Sequence, residues 1–416
     1  MKKIYKNVVL SAFSMTSNVI FPLAALPFLA NSLGTVEFGE IAIAQAITIF
    51  LCQIVDYGFN LSASRRVAGA KNSQEISNIY SITQNARVFL AGFALIIALL
   101  LAIINVLPLD SKLLLMTITP AIVGSVFQAT WFFQGRGLFA WLAFANFISK
   151  LLYLSIVVLF IKNEYDIYLA GTAFGFTYLI GGIILLLAAI KSGVVWKLKV
   201  PITELKLAIV RSTHNFLSLL LLSFHSQALI ALVGIVISPA AAGLLLMTDK
   251  IIRCVSAVTI PIATALFPIF SQLYIDCDKS VDSIRRRAAV GLMTISLICT
   301  FFIFFTSHQI ANLMMPEEKI LLAFYLRLAS PIPIFLTLGV LYGGLTLIPS
   351  GHDKVYLKAI LLAEIFTFII FLLIQFYYPD MAGIFSMISA EVAIGSLMFL
   401  LASVKIRNKN LYKSNQ

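Results

Sequence analysis

Residues 240–274 read AAAGLLLMTDKIIRCVSAVTIPIATALFPIFSQLY, and this stretch decides the fold class. It is apolar enough to enter a bilayer, yet Asp249, Lys250 and Arg253 lie ten to fourteen residues in from its start. At ~1.5 Å per residue that is about half the depth of a ~30 Å hydrocarbon core. Each such charge costs roughly 2.5–3.5 kcal/mol on insertion scales at a helix centre, so these side chains must face protein or water. Asp249 and Arg253 are spaced i,i+4 and share a face on which they can pair. Lys250 points about 100° away and needs another partner. The expectation is a helix that lines a hydrated cavity and whose cations hold an anionic group.

The same pattern extends outward. Of 416 residues, 60% are hydrophobic and 12% charged, with a mean hydropathy of +0.99. These proportions exclude a soluble domain and predict an all-α polytopic membrane protein. Its apolar runs are continuous and about 20 residues long, unlike the short alternating segments of a transmembrane barrel. Twelve spans are expected, at about 8–31, 39–62, 88–107, 113–134, 139–161, 167–190, 215–237, 240–273, 289–310, 320–348, 355–377 and 381–404. The first has no small-residue cleavage site and reads as a retained helix. Pro261, Pro268, Pro331 and Pro333 predict kinks or breaks in the eighth and tenth spans.

Lys and Arg set the orientation. With the N-terminus in the cytoplasm and strict alternation, 23 cations fall on the cytoplasmic side, and only Lys112, Lys162 and Lys319 fall outside. That asymmetry predicts an even span count with both termini cytoplasmic. It also assigns the net charge of +12 to short loops, so no nucleic-acid partner is expected. Cys52, Cys254, Cys277 and Cys299 form no CxxC or Cys/His cluster, and neither disulfides nor a metal site is indicated. No P-loop or other cofactor motif is present. Three basic cytoplasmic connections stand out, at 63–87, 191–214 and 276–288. The second suits an amphipathic helix in the headgroup layer, joining an N-terminal six-helix lobe (1–200, with the start of the linker) to a C-terminal one (201–416). A short internal repeat supports two pseudo-symmetric lobes. Gly34-Thr-Val-Glu-Phe-Gly39 superposes on Ser238-Pro-Ala-Ala-Ala-Gly243, which places Gln45 opposite Asp249.

The run LPFLANSLGTVEFGEIAIAQAITIFLCQIVDYGFNLSASRRVA (26–68) resembles the start of Wzx-type O-antigen flippases. These form the polysaccharide transporter branch of the MOP exporter superfamily. The matching elements are Leu33-Gly34, Phe38-Gly39, Asp56-Tyr57-Gly58-Phe59 and Arg65. Trp131-Phe-Phe-Gln-Gly135 and Leu266-Phe-Pro268 also look like stretches common there. The resemblance implies two six-helix lobes around a central cavity, with spans one, two, seven and eight at the lobe interface. It implies a substrate of undecaprenyl-pyrophosphate-linked oligosaccharide, flipped to the periplasmic leaflet of the bacterial inner membrane by alternating access. Ion coupling, contact with membrane lipids and work beside a polymerase and a chain-length regulator of lipopolysaccharide biosynthesis belong to the same implication. Lys250 or Arg253 would match by location the cationic eighth-span residue of related lipid II flippases.

Moving a pyrophosphate through an apolar slab needs cations at depth. The candidates are Lys150, Lys250, Arg253 and Arg327. Each has a structural alternative: internal ion pairs, or snorkelling for Arg327, which lies near an outer end. The intramembrane acids Asp56, Asp249, Glu364 and Glu391 are candidates for coupling or gating, or for pairing with those cations. Asp56 is expected to close a gate or cap the loop through Arg65 or Arg66. Ser11, Ser14 and Asn18 form a polar stripe that lines the sugar path or packs helices. Trp131, Phe132, Phe133, Tyr178 and Tyr342 could stack on sugars, while most of the 33 Phe and 14 Tyr are expected to face lipid or the core. Competing readings are a multidrug or small-solute antiporter of the same superfamily, an O-antigen polymerase or ligase, and a scaffold. The antiporter predicts an acid-dominated cavity, and the polymerase or ligase a large periplasmic loop. A scaffold leaves the charges at depth unexplained. No enzyme activity is expected.

Overall fold

The computed structural model describes residues 2–104, 107, 109–275 and 280–414, so Cys277 of the sequence reading lies outside the described residues. Every regular element among them is a helix. Eleven helices are long and apolar enough to cross a membrane, or twelve if a bent pair counts as one span. The protein is therefore a multi-pass helical membrane protein, as its hydropathy predicts.

Among the described residues three spans break beside a proline. The bent pair is α12 (Pro239–Ser256) and α13 (Thr259–Ile275), separated by a 55° bend. Pro261 cannot donate to the carbonyl four residues back, which is that of Ala257 in the break. Ile260 N donates to it instead at 3.1 Å. The span around Pro331 divides into α15 (Lys319–Ala329), α16 (Ile332–Leu338) and a π-helical turn, Gly339–Leu347. Here the freed carbonyl is that of Arg327, and Ser330 Oγ, just before the proline, donates to it at 2.8 Å. Pro120 repeats the device between α5 (Leu109–Ile118) and α6 (Pro120–Phe127), where Thr119 Oγ1 donates to Met116 O at 2.7 Å. In both places the residue preceding the proline, rather than a neighbouring helix, re-satisfies the carbonyl, with its hydroxyl and with its backbone N–H at 3.3 Å.

The chain divides into two compact units, Met1–Gly243 and Leu244–Gln416. The first holds α1 (Lys2–Leu33), α2 (Thr35–Asp56), α3 (Phe59–Gly69), α4 (Ser73–Ile103), α5, α6, α7 (Thr130–Arg136), α8 (Phe139–Phe160), α9 (Ile167–Lys191), α10 (Ile202–Ser223), a π turn (Phe224–Ala228) and α11 (Leu229–Val236). Compactness thus groups the seventh span with the first six. That span, α10 to α11, lies along α2 and α4. Residues 202–214 continue into it as one helix instead of forming a separate helix in the headgroup layer. Likewise most of 63–87 is helical: Asn72 Oδ1 accepts from Glu75 N at 2.8 Å and starts α4 well ahead of its apolar run.

Glycines set the closest approaches in this unit. A Cβ on Gly39 would lie 1.9 Å from Pro239 O, and one on Gly243 would lie 3.2 Å from Gly39 Cα. The two glycines matched by the internal repeat therefore lie against each other. At its other end α2 breaks at Tyr57 and Gly58, both left-handed, with φ of 45° and 72°. Tyr57 stacks on Phe216 of α10 with centroids 4.2 Å apart. Below this break lies an aromatic core. Trp131, Phe132 and Phe133 are at most 1% exposed within it, packed with Tyr80 and Trp196. The expectation that these three aromatics stack on sugars is corrected: they are interior residues of the unit.

The second unit holds the rest of α12, α13, α14 (Val281–Met314), α15, α16, α17 (Asp353–Tyr377) and α18 (Pro379–Ser414). α17 and α18 pack along each other, and α18 also packs on α16. There Gly395 is needed, because a Cβ would sit 2.5 Å from Phe335 O.

Candidate functional site

Most of the charged residues expected at depth in the second unit meet around α12 and α18. Arg253 Nε donates to Asp249 Oδ1 at 2.6 Å, one turn earlier on α12. Its Nη2 donates to Glu391 Oε1 of α18 at 3.1 Å. Both carboxylates are buried behind the cation, while the Arg253 side chain stays 36% exposed. A guanidinium has five N–H donors, so this one keeps unused donors on its open edge. Lys250 points off this face and makes no hydrogen bond or ion pair among the described residues. Asp249 Oδ2 is buried without a hydrogen-bond partner. Glu364 is buried near the middle of α17. Arg327 is exposed on α15, and its Nε donates to Ser307 Oγ of α14 at 2.9 Å.

The first unit has its own polar path. Lys150 lies halfway along α8, with its ammonium 5.0 Å from the ring centroid of Tyr178 on α9. Tyr178 thus meets a cation rather than only apolar neighbours. One turn away, Asn146 Nδ2 donates to Ser14 Oγ at 2.7 Å. This joins α8 to the polar stripe of α1, on which Asn18 is exposed.

Asp56 does not pair with Arg65 or Arg66. Arg87 of α4 reaches it, with Nη2 3.8 Å from Oδ1. The same buried guanidinium donates to Ser125 O at 2.6 Å and Gln128 O at 3.1 Å, while Gln84 Nε2 donates to Val126 O at 3.0 Å. These carbonyls end α6 at the break before α7. Arg87 therefore holds an interrupted span as well as Asp56. Counted among the loop cations, it escaped the sequence reading. The signal that would have found it is the stripe Tyr80, Gln84, Arg87, at i, i+4 and i+7 of a helix capped as early as Asn72. Among the described residues no group of three His, Cys, Asp or Glu side chains could hold a metal ion.

Comparison with known proteins assigns the chain. The family profile described as polysaccharide biosynthesis protein matches residues 4–274. The chain belongs to this family. It is 24% identical over 413 residues to a protein of Escherichia coli (strain K12) named as an O-antigen transporter, covering 98% of this chain and 97% of that one. A protein of Shigella dysenteriae with the same name is 26% identical, covering 96% and 100%. Solved structures share the fold. An inward-facing multidrug resistance MATE family transporter of the MOP superfamily superposes with a TM-score of 0.75 at 15% identity, covering 98% of this chain and 100% of that one. A MOP superfamily transporter from Pyrococcus furiosus, described as having a binding pocket of reverse polarity, gives 0.64 at 15% identity, with 98% and 96% coverage. The relatives of this family member are transporters, not enzymes.

Proposed function

We propose that the protein is a flippase for lipid-linked O-antigen, or a similar surface-polysaccharide repeat unit, carried on undecaprenyl pyrophosphate. It moves this cargo from the cytoplasmic to the periplasmic leaflet of the bacterial inner membrane by alternating access, with both termini in the cytoplasm. The cationic bias of one set of loops supports that orientation. The halves that alternate are the two six-span lobes, 1–200 and 201–416.

One observation carries the reading: cations at mid-span that are not sealed by the protein. Lys250 has no ion pair among the described residues, and Arg253 presents an open edge backed by buried carboxylates. An ammonium and a guanidinium so placed suit a pyrophosphate. A carrier of cationic drugs would need exposed acids, and here Asp249 and Glu391 are the buried groups. Lys150, Asn18 and Arg327 are assigned to the remaining cargo contacts, and Asp56, Asp249, Glu364 and Glu391 to coupling or gating. The polymerase and chain-length regulator of the pathway are the expected partners.

The test is complementation of a strain lacking its flippase. Lys250→Ala and Arg253→Ala should abolish surface polysaccharide while membrane levels of the protein stay normal. Normal polysaccharide from both variants would sink the anion-site assignment.

A further inference from the structure

α14 and α15 pack along each other and are joined by the turn that carries Glu317 and Glu318. The surface they leave open is apolar. Phe301, Phe304 and Phe305 of α14 are exposed on it, as are Ile320 and Phe324 of α15, with Ile320 78% and Phe305 70% open. On a chain that spans a membrane, an apolar surface of this kind meets lipid chains. Arg327 belongs to the same face: Ile320, Phe324 and Arg327 are spaced i, i+4 and i+7 on α15, and all three are exposed. A charge left in hydrocarbon is costly, so an arginine on such a face must reach a polar group. Among the described residues it makes no ion pair, with Glu317, Glu318 or any other acid. Its Nε donates to Ser307 Oγ at 2.9 Å. That leaves four N–H groups on its two terminal nitrogens.

The depth suits a headgroup. Arg327 is eight residues in from Lys319, the start of α15, or about 12 Å along the helix. With that charged start in the headgroup layer, roughly 5–7 Å thick, the Arg327 backbone lies roughly 5–7 Å inside the hydrocarbon. A helical side chain leans toward the helix N-terminus, here the end at the turn, and an extended arginine covers such a gap. Ser307 lies seven residues from Met314, the end of α14, or about 10 Å below the same turn. The guanidinium it holds has therefore already climbed toward the surface.

The geometry points to a phosphate site on the lipid-facing surface of α14 and α15, where Arg327 forks onto the headgroup phosphate of a phospholipid. Ser307 is its positioning residue and fixes Nε. The acyl chains of that lipid lie over Phe301, Phe304 and Phe305, within two turns of Ser307 on the side away from the turn, which is what distinguishes a lipid from a free phosphate here. The outer leaflet is the one concerned in the orientation proposed above, and the site itself does not depend on that orientation. Cargo that meets Arg327 does so from the lipid side, in place of this phospholipid.

The test is native mass spectrometry of the full chain in detergent, titrated with phosphatidylglycerol or with diacylglycerol carrying the same chains and no phosphate. Wild type should bind the phospholipid at least about tenfold more tightly, the worth of one charge-assisted contact. Arg327→Gln should bring the two lipids within about twofold of each other, whereas Lys319→Gln, at the start of the same helix, should keep the wild-type preference. Arg327→Gln leaves no buried group unpaired, because Ser307 Oγ still donates to Phe304 O at 3.0 Å. Equal binding of the two lipids by wild type overturns the proposal, as does a preference that survives Arg327→Gln. A preference lost equally in Lys319→Gln overturns it too, since general surface charge would then account for it. A further titration with undecaprenyl diphosphate separates the source of the phosphate. Loss of affinity for that lipid alone in Arg327→Gln, with phosphatidylglycerol unaffected, would give the site to the cargo and overturn the phospholipid assignment.

Discussion

Substituting Gly39 by alanine tests the crossing of α2 with the turn that begins α12. The added methyl would lie 1.9 Å from Pro239 O and 2.2 Å from its carbonyl carbon, whereas ordinary contact begins near 3.4 Å. The shortfall of about 1.5 Å falls on backbone, which cannot rotate aside as a side chain can. Overpacking of this kind costs roughly 1–3 kcal/mol, and a backbone obstacle places Gly39→Ala at the upper end. Gly243→Ala offers an internal comparison. Its methyl would first meet Phe38 Cδ1 at 2.9 Å, a ring that can shift, so about 1 kcal/mol is expected. Thermal unfolding of purified protein, followed by size-exclusion chromatography, should rank wild type above Gly243→Ala above Gly39→Ala. Surface polysaccharide in complemented cells should follow the same order. If Gly39→Ala matched wild type in both assays, the close crossing would be wrong.

Further outcomes follow from the interior contacts. Arg87→Met removes donors from Ser125 O and Gln128 O and leaves Asp56 unpaired, a loss of about 3–5 kcal/mol by thermal unfolding; adding Asp56→Asn should recover part of it. Ser330→Ala leaves the Arg327 carbonyl with a weaker partner and should cost about 1 kcal/mol. In the Pro331→Ala background that cost should shrink, which a double-mutant cycle reads directly. Trp131→Ala should destabilise by about 3–5 kcal/mol, because its ring fills the aromatic core; unaltered stability with lost transport would return it to a sugar-contacting role.

Much of the architecture was legible because the bilayer imposes it. Runs of about 20 apolar residues give spans, and prolines give breaks whose position follows from the donor they lack. The charged residues at depth in α12 were legible for the same reason. Their pairing was only half so: Asp249 and Arg253 are one turn apart, but Glu391 is 138 residues from Arg253 and nothing local announces it. Proximity in sequence misdirected the reading of Asp56, since Arg65 and Arg66 are near in the chain while Arg87 is near in space. Hydropathy also truncated α4 and α10, whose polar ends are helical because capping and packing, not apolarity, decide them. The internal repeat was too short to announce the close contact between Gly39 and Gly243.

The two π turns, at Phe224–Ala228 and Gly339–Leu347, each store a surplus residue within a transmembrane rod. Such a surplus can be handed to the next turn by exchanging one hydrogen bond at a time, like a fold travelling along a carpet. Each hand-over swivels the stretch it crosses by about 100°, since an α-helix has 3.6 residues per turn. Buried side chains such as Gln227 and Thr346 would thereby be re-aimed while the ends of the rod stay anchored.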